Sequence, residues 1–423
     1  MSDVPDRRSL RATLRSLPRE VWILFIGAFV NRLGTFVLPF ITLYLTDRGY
    51  SATQAGLGLA AYGLGATGAQ AVGGLLADRF GRRNTIALSM FGGAALTLSL
   101  VWVEGLFAIV GVVLLLGFVA ELYRPASSAL VADLVPSEDR VAAFSAYRLM
   151  LNIGWAFGLA LAGLLAQRSF DLLFVGDAIT SGTYAVIALV ALPHGTRTTK
   201  QEERHLGSAG RSIAADRGFQ LFLGAVFLTA VVYMQNASTF ALHVRDLGYS
   251  TATYGFLQAA NGVLVVLLEL PITAWAMRHE RTRVVAGGAV LVGLGFATLA
   301  VVQGLPGLAL MVVLWTLGEI VESPSTSAFV ADRAPEHARG RYQGSLGMMY
   351  ATAAIAGPLA GTAVYDVNTT ALWLGCGVLG LASAGLALAA GRRPKPGGDE
   401  PRPVEGEPRR DTGTVVTPPP APA

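Results

Sequence analysis

The chain is short of cysteine, lysine and charge. A single cysteine, Cys376, excludes an intrachain disulfide and a thiolate metal cluster. Lysine occurs only at Lys200 and Lys395, and no GxxxxGK[ST] stretch is present. ATP-driven pumping through a Walker-type loop within this chain is therefore excluded. The histidines, His194, His205, His243, His279 and His337, show no metal-ligand spacing, and no nucleophile–base pair can be named. Neither an enzyme nor a resident cofactor is expected. Charged residues make up only 14% of the chain against 53% hydrophobic, with a mean hydropathy of +0.52. That balance excludes an ordinary soluble domain.

What the sequence has instead is a series of apolar stretches of about 20 residues, the length that crosses about 30 Å of hydrocarbon as a helix. They lie near 21–45, 53–77, 84–103, 106–129, 142–166, 171–192, 218–243, 252–276, 284–303, 307–331, 342–365 and 370–390. A soluble helical protein would need polar helix faces that these stretches lack. The expectation is an all-α integral membrane protein with twelve transmembrane helices. The basic start "DRRSLRATLRSLPRE" runs into an apolar stretch that continues through Arg32 to Leu45 without a cleavage pattern, so 1–20 reads as a cytoplasmic lead and not a signal peptide.

Basic residues orient the spans. Arg7, Arg8, Arg11, Arg15 and Arg19, then Arg79, Arg82 and Arg83, Arg140, the 193–217 segment, Arg278, Arg281 and Arg283, Arg333, Arg339 and Arg341, and Arg392 and Arg393 gather on one side. The other side offers Arg48, Arg168 and Arg245. Both termini are therefore expected in the cytoplasm. The net charge of +4 expresses this asymmetry and does not imply a nucleic-acid partner. The expected setting is a cytoplasmic membrane, with lipid and a small-molecule substrate as partners and the chain as a monomer. Residues 391–423, rich in Pro, Gly, Glu and Arg, read as a disordered cytoplasmic tail.

Compared with itself at a shift of 199 residues, the chain repeats. "TDRGYSATQAG" (46–56) lies against "RDLGYSTATYG" (245–255), and "RPASSALVADLVPSEDR" (124–140) against "SPSTSAFVADRAPEHAR" (323–339). Two matches in one register make two six-span halves, 21–192 and 218–390, joined by a linker at 193–217. Six is even, so both halves enter the membrane from the same side, related by an axis along its normal. Parallel halves around a midplane site are a transporter architecture.

Charges inside spans cost at least about 2.5–3.5 kcal/mol near the bilayer centre and need a partner or a wet cavity. Asn31 and Arg32 lie roughly 16 Å along span 1, Glu319 lies about 18 Å along span 10, and Glu121 of span 4 sits nearer the cytoplasm. A cation there can bind an anionic substrate or hold a carboxylate, and burial disfavours the charged form of a carboxyl, which suits proton coupling. The competing reading is a permanent Arg32 ion pair with Glu121 or Glu319 that glues helices. Asp177 lies nearer the outer end of span 6. Glu322 and Arg124, beside Pro324 and Pro125, read equally as helix-end caps or as substrate contacts, and Tyr147, Trp155 and Tyr350 as either packing or an aromatic wall.

Between spans 2 and 3 stands "GGLLADRFGRR" (73–83). Gly74 permits close helix approach, Gly81 a tight turn, and Asp78 can accept from a helix N-terminus. With twelve spans in two halves, the G-x-x-x-D-R-x-G-R-R loop at Gly74, Asp78, Arg79, Gly81, Arg82 and Arg83, and "ADLVPSEDR" after span 4, the chain resembles the major facilitator superfamily, closest in look to its twelve-helix drug:proton antiporters. The resemblance implies that spans 1, 4, 7 and 10 line a central cavity, which adds Gln235 and Asn236 of span 7 to Asn31, Arg32, Glu121 and Glu319, and that span 6, with Asp177, lies at the periphery. It also implies that Asp78 latches onto the N-terminus of span 11, with Arg82 and Asp133 as a charge network beside it. The second half replaces Asp78 by Met277 and Gly81 by Glu280, so any such latch is one-sided. Exporters of that branch carry Gly-Pro in span 5. Here that position is Leu159, and Gly-Pro stands in span 11 at Gly357 and Pro358. The expected function is proton-coupled efflux of a lipophilic or amphipathic compound. The alternatives are a symporter or facilitator for a sugar or organic anion, and a non-transporting sensor or scaffold.

Overall fold

The computed structural model describes residues 10–136, 139–194, 216–334 and 339–392. Residues 1–9, most of the linker and the tail from 393 on lie outside the described residues, as does the expectation of a disordered tail. Every regular element among the described residues is helical.

The first half is built from α1 (Leu10–Ser16), α2 (Arg19–Leu33), α3 (Val37–Asp47), α4 (Ala52–Phe80), α5 (Arg82–Ser99), α6 (Leu106–Glu121), α7 (Tyr123–Leu134), α8 (Arg140–Ala166) and α9 (Phe170–Ala191). The second half comprises α10 (Arg217–Tyr233), a 3₁₀ turn at Met234–Asn236, α11 (Thr239–Asp246), α12 (Thr251–Ala276), α13 (Arg281–Thr298), α14 (Gly304–Arg333), α15 (Arg339–Val367) and α16 (Thr369–Gly391). Among the described residues, nine helical stretches are long and apolar enough to cross a membrane. The helices α4, α5 and α13 fall short of that mark because their glycines and terminal charges dilute the apolar content.

The repeated "GYS" explains itself as a corner. Gly49 and Gly248 hold φ of +86° and +82°, the left-handed region that glycine enters without a Cβ penalty, and they end α3 and α11. Two residues on, Ser51 and Ser250 accept from the backbone N–H of Gln54 and Thr253 at 3.2 and 3.3 Å, starting α4 and α12. Gln54 answers by accepting from the Ser51 N–H at 2.9 Å, a full capping box.

Three expected spans are not continuous. Span 1 breaks between α2 and α3, span 4 at Leu122 between α6 and α7, and span 7 at 234–238 between α10 and α11. An apolar run reports length and not continuity, which is why the sequence reading missed these breaks.

Packing distinguishes the two ends of the molecule. The face that carries the start of α2 and the end of α16 is termed the terminal face, and the opposite one the far face. One apolar core on the far side joins both halves, drawing Phe40, Tyr44 and Leu159 together with Tyr254, Trp315 and Trp373. Towards the terminal face the halves keep separate cores, one around Phe25, Met90 and Tyr147 and the other around Phe219, Val285 and Tyr342. The far-side contacts run along α8 with α12 and α4 with α15 through small residues. A Cβ added to Gly163 would lie 3.0 Å from the Cα of Gly255, and one on Gly63 3.0 Å from the Ala354 carbonyl oxygen.

Candidate functional site

The breaks matter because each frees backbone polar groups that the bilayer cannot satisfy. The structure answers each with polar side chains from neighbouring helices. At the first break, the Phe36 N–H donates to Asp177 Oδ2 at 3.3 Å, Ser181 Oγ donates to Asp177 Oδ1 at 3.2 Å, and Asn31 Nδ2 donates to Ser181 Oγ at 3.2 Å. Asp177 was expected at the periphery. It is instead buried, and its carboxyl receives the start of α3. At the second break, Ser89 Oγ accepts from the Tyr123 N–H at 3.1 Å and donates to the Val119 carbonyl at 2.6 Å.

At the third break Gln235 uses its whole side chain. Its Nε2 donates to the carbonyls of Val231 (2.9 Å) and Gly357 (3.0 Å), and its Oε1 accepts from Ser238 (3.2 Å) and Thr239 (2.9 Å). Asn236 Nδ2 donates to the Tyr233 carbonyl at 2.8 Å, while its own carbonyl accepts from Tyr254 and Gln258. Both residues hold the break together.

The charged candidates then separate. Glu121 is buried at the α6–α7 break, accepts from Tyr62 Oη at 2.9 Å and pairs with Arg124 one turn on. Among the described residues Arg32 makes no ion pair; its guanidinium lies over the Trp155 ring, 5.3 Å from the centroid. Glu319 of α14 accepts from Tyr233 Oη at 3.2 Å and Asn261 Nδ2 at 3.1 Å and, among the described residues, has no cationic partner within salt-bridge distance. The competing reading of a permanent Arg32 ion pair with Glu121 or Glu319 is not what the described residues form: Arg124 takes Glu121, and an aromatic ring takes Arg32. Asn31, Arg32, Tyr62, Glu121 and Asp177 line one small opening inside the first half.

Tyr147 packs against Phe25 in the core of the first half, and Tyr350 is exposed. Glu322 is buried on α14, its Cβ within 2.8 Å of where a Gly288 Cβ would stand.

At the terminal face Arg82 is buried and reaches Asp78 Oδ1 at 3.2 Å and Asp133 Oδ2 at 3.1 Å. Arg83 contacts His194, tying α5 to the end of α9, and Arg79 is exposed. Gly81 makes the turn with φ of +91°. Gly74 departs from expectation: a Cβ there would meet nothing within 4 Å, and the close approach is made by Gly73 against Pro125 and Leu122. The partner of Asp78 is Arg82 of its own half. At the shift of 199 residues, Arg82–Asp133 becomes Arg281–Asp332, which pairs at 2.8 Å. This pair is therefore a brace repeated within each half, whereas Asp78 has no counterpart.

The sequence reading passed over one contact between halves. Arg148 of α8 pairs with Glu269 of α12. A charge within an apolar run, the signal that exposed Arg32, was present at both positions.

Residues 24–242 and 221–421 each match the Major Facilitator Superfamily. The chain belongs to that superfamily. It is 28% identical over 334 residues to the uncharacterized MFS-type transporter YqjV of Bacillus subtilis, covering 77% of this chain and 82% of the relative. It is 25% identical to the multidrug resistance protein MdtH of Escherichia coli, over 85% of this chain and 91% of that protein. Among solved structures, the nucleoside transporter NupG superposes with a TM-score of 0.75 at 18% identity, over 89% of this chain and all of its own. A peptide transporter POT in complex with sulfate superposes with a TM-score of 0.76 at 17% identity, over 92% of this chain and all of that one. These likenesses give the superfamily fold, and the protein is a multi-pass membrane transporter of the cytoplasmic membrane. No cluster of three His, Cys, Asp or Glu side chains among the described residues could hold a metal.

Proposed function

We propose that the protein exports a small lipophilic or amphipathic compound in exchange for protons, by alternating access between halves 21–192 and 218–390. The terminal face is the cytoplasmic one, where the arginines gather. All twelve expected spans cross, with α4, α5 and α13 carried by their neighbours. The conformation described is then open to the cytoplasm and closed outside. The observation that carries the coupling is Glu319, a carboxyl inside the helical bundle with hydrogen-bond donors and, among the described residues, no cation within salt-bridge distance. Such a group holds charge poorly when dry and gains it when wet, the behaviour a proton carrier needs. The likeness to MdtH supports a drug-like cargo.

A second reading rests on Arg32, a cation with no carboxylate within salt-bridge distance among the described residues and lying over Trp155. It favours an organic anion, taken up by symport or facilitation. One experiment separates the two. Everted vesicles with a respiration-generated pH gradient are challenged with cationic, neutral and anionic compounds. Export predicts that some lipophilic compound collapses the gradient for the wild type and not for Glu319→Gln. If no compound does so, while anion counterflow proceeds without a gradient and depends on Arg32, the export reading is wrong.

A further inference from the structure

The helices α4 and α15 run antiparallel across the boundary between halves. On the far side their register can be read directly: Gly56 faces Pro358 and Thr362, and Gly63 faces Ala354. At the far end of the pair, Asp366, near the C-terminus of α15, covers the first turn of α4. Its Oδ1 accepts from the Ala52 N–H at 3.2 Å, and its Oδ2 accepts from the Thr53 N–H at 2.8 Å and Thr53 Oγ1 at 2.6 Å. A carboxylate placed on unsatisfied N–H groups at the positive end of a helix dipole is favourable, by about 0.3–1 kcal/mol when exposed.

Because both helices rise equally per residue, the register carries on towards the terminal face. Residues facing each other sum to about 417 or 418, as 63 with 354 and 52 with 366 show. Continued, that register brings Asp78 opposite Arg339, the first residue of α15. In this structure the helices have parted by then, since a Cβ on Gly74, Gly344 or Gly347 would meet nothing within 4 Å. Each helix of the pair thus carries an aspartate near its C-terminal end: Asp366 meets the first turn of α4, and Asp78 pairs with Arg82 of its own half.

We propose that Asp366 is the far-face latch of the transport cycle, a positioning residue whose contact with the first turn of α4 holds the far side shut and is broken when the terminal side closes. The proposal rests on the alternating-access reading. A hydrogen-bonded belt supports it from the side: Tyr365 Oη donates to Asp246 Oδ2 at 2.7 Å, Asp246 pairs with Arg245 at 2.7 Å, and Arg245 Nη1 donates to Thr46 Oγ1 at 2.5 Å. The same face is joined by Thr251 Oγ1 donating to the Gly163 carbonyl at 3.1 Å.

The test measures conformation without substrate. In a Cys376→Ser background, spin labels at Glu104→Cys and Gln303→Cys report on the far face, and labels at Pro136→Cys and His279→Cys on the terminal face. All four positions are exposed. Asp366→Asn should raise the ratio of open to closed far-face distances about two- to fivefold, the ratio equivalent of an exposed helix-end contact, with reciprocal closure of the terminal pair. Thr53→Ala, which removes one donor and leaves the carboxylate, should shift both pairs the same way by less. Unchanged far-face distances in both variants would overturn the latch, as would a far face that opens with no answering movement at the terminal face. Label distances that respond while no compound is ever transported would sink the export reading and leave the latch standing.

Discussion

Gln235 offers two donors and two acceptor positions, and the α10–α11 break uses all of them. Gln235→Leu would strand the Val231 and Gly357 carbonyls, so the unfolding midpoint in detergent should fall by the equivalent of about 1–3 kcal/mol. An unchanged midpoint would count against a holding role. Asp177 allows a finer test at the first break. Asp177→Asn keeps an acceptor for the Phe36 N–H and should be nearly neutral, whereas Asp177→Ala should cost about 1 kcal/mol, as loss of a helix cap does. Equal loss in both would mean that the charge, and not the acceptor, is what counts. At this scale the sequence exposed Arg32, Glu121 and Glu319 because a charge stands out inside an apolar run. It could not show which of these pair, since Arg124 and Trp155 are chosen by the way the helices turn. Tyr62, Tyr233 and Asn261 carried no signal, because tyrosine and asparagine serve many purposes in a helix.

Helices and corners were the most readable level. The matched "GYS" segments identify two equivalent corners by sequence alone, and left-handed glycine followed by a capping serine is the physical content of that match. Breaks in spans 1, 4 and 7 were illegible for the reason already given: hydrophobicity sets where a helix sits, while a break depends on side chains supplied by other helices, such as Asp177 from α9 and Ser89 from α5. The α8–α12 contact is the element most open to test. A Cβ at Gly163 would fall 2.8 Å from the Thr251 carbonyl oxygen, so Gly163→Leu should wedge the far side apart. Cysteines introduced there should become more reactive to a membrane-impermeant thiol reagent than in the same background with Gly163 intact. Equal reactivity would mean that the far side is not held by close helix approach.

For the molecule as a whole, the single far-side core and the two separate terminal-side cores describe halves that meet at one end and part at the other. Arg148 and Glu269 bridge them below that meeting point. If the bridge acts through charge, Arg148→Glu and Glu269→Arg should each impair transport and the double exchange should restore a large part of it; a double exchange no better than either single change would assign the loss to packing. The central claim is that Glu319 couples a proton to the cargo without being needed to hold it. In proteoliposomes, with a labelled compound identified by gradient collapse, Glu319→Gln should keep equilibrium exchange of cargo across the membrane while losing accumulation driven by a pH gradient. Loss of exchange and accumulation together, or accumulation left intact, would contradict the account.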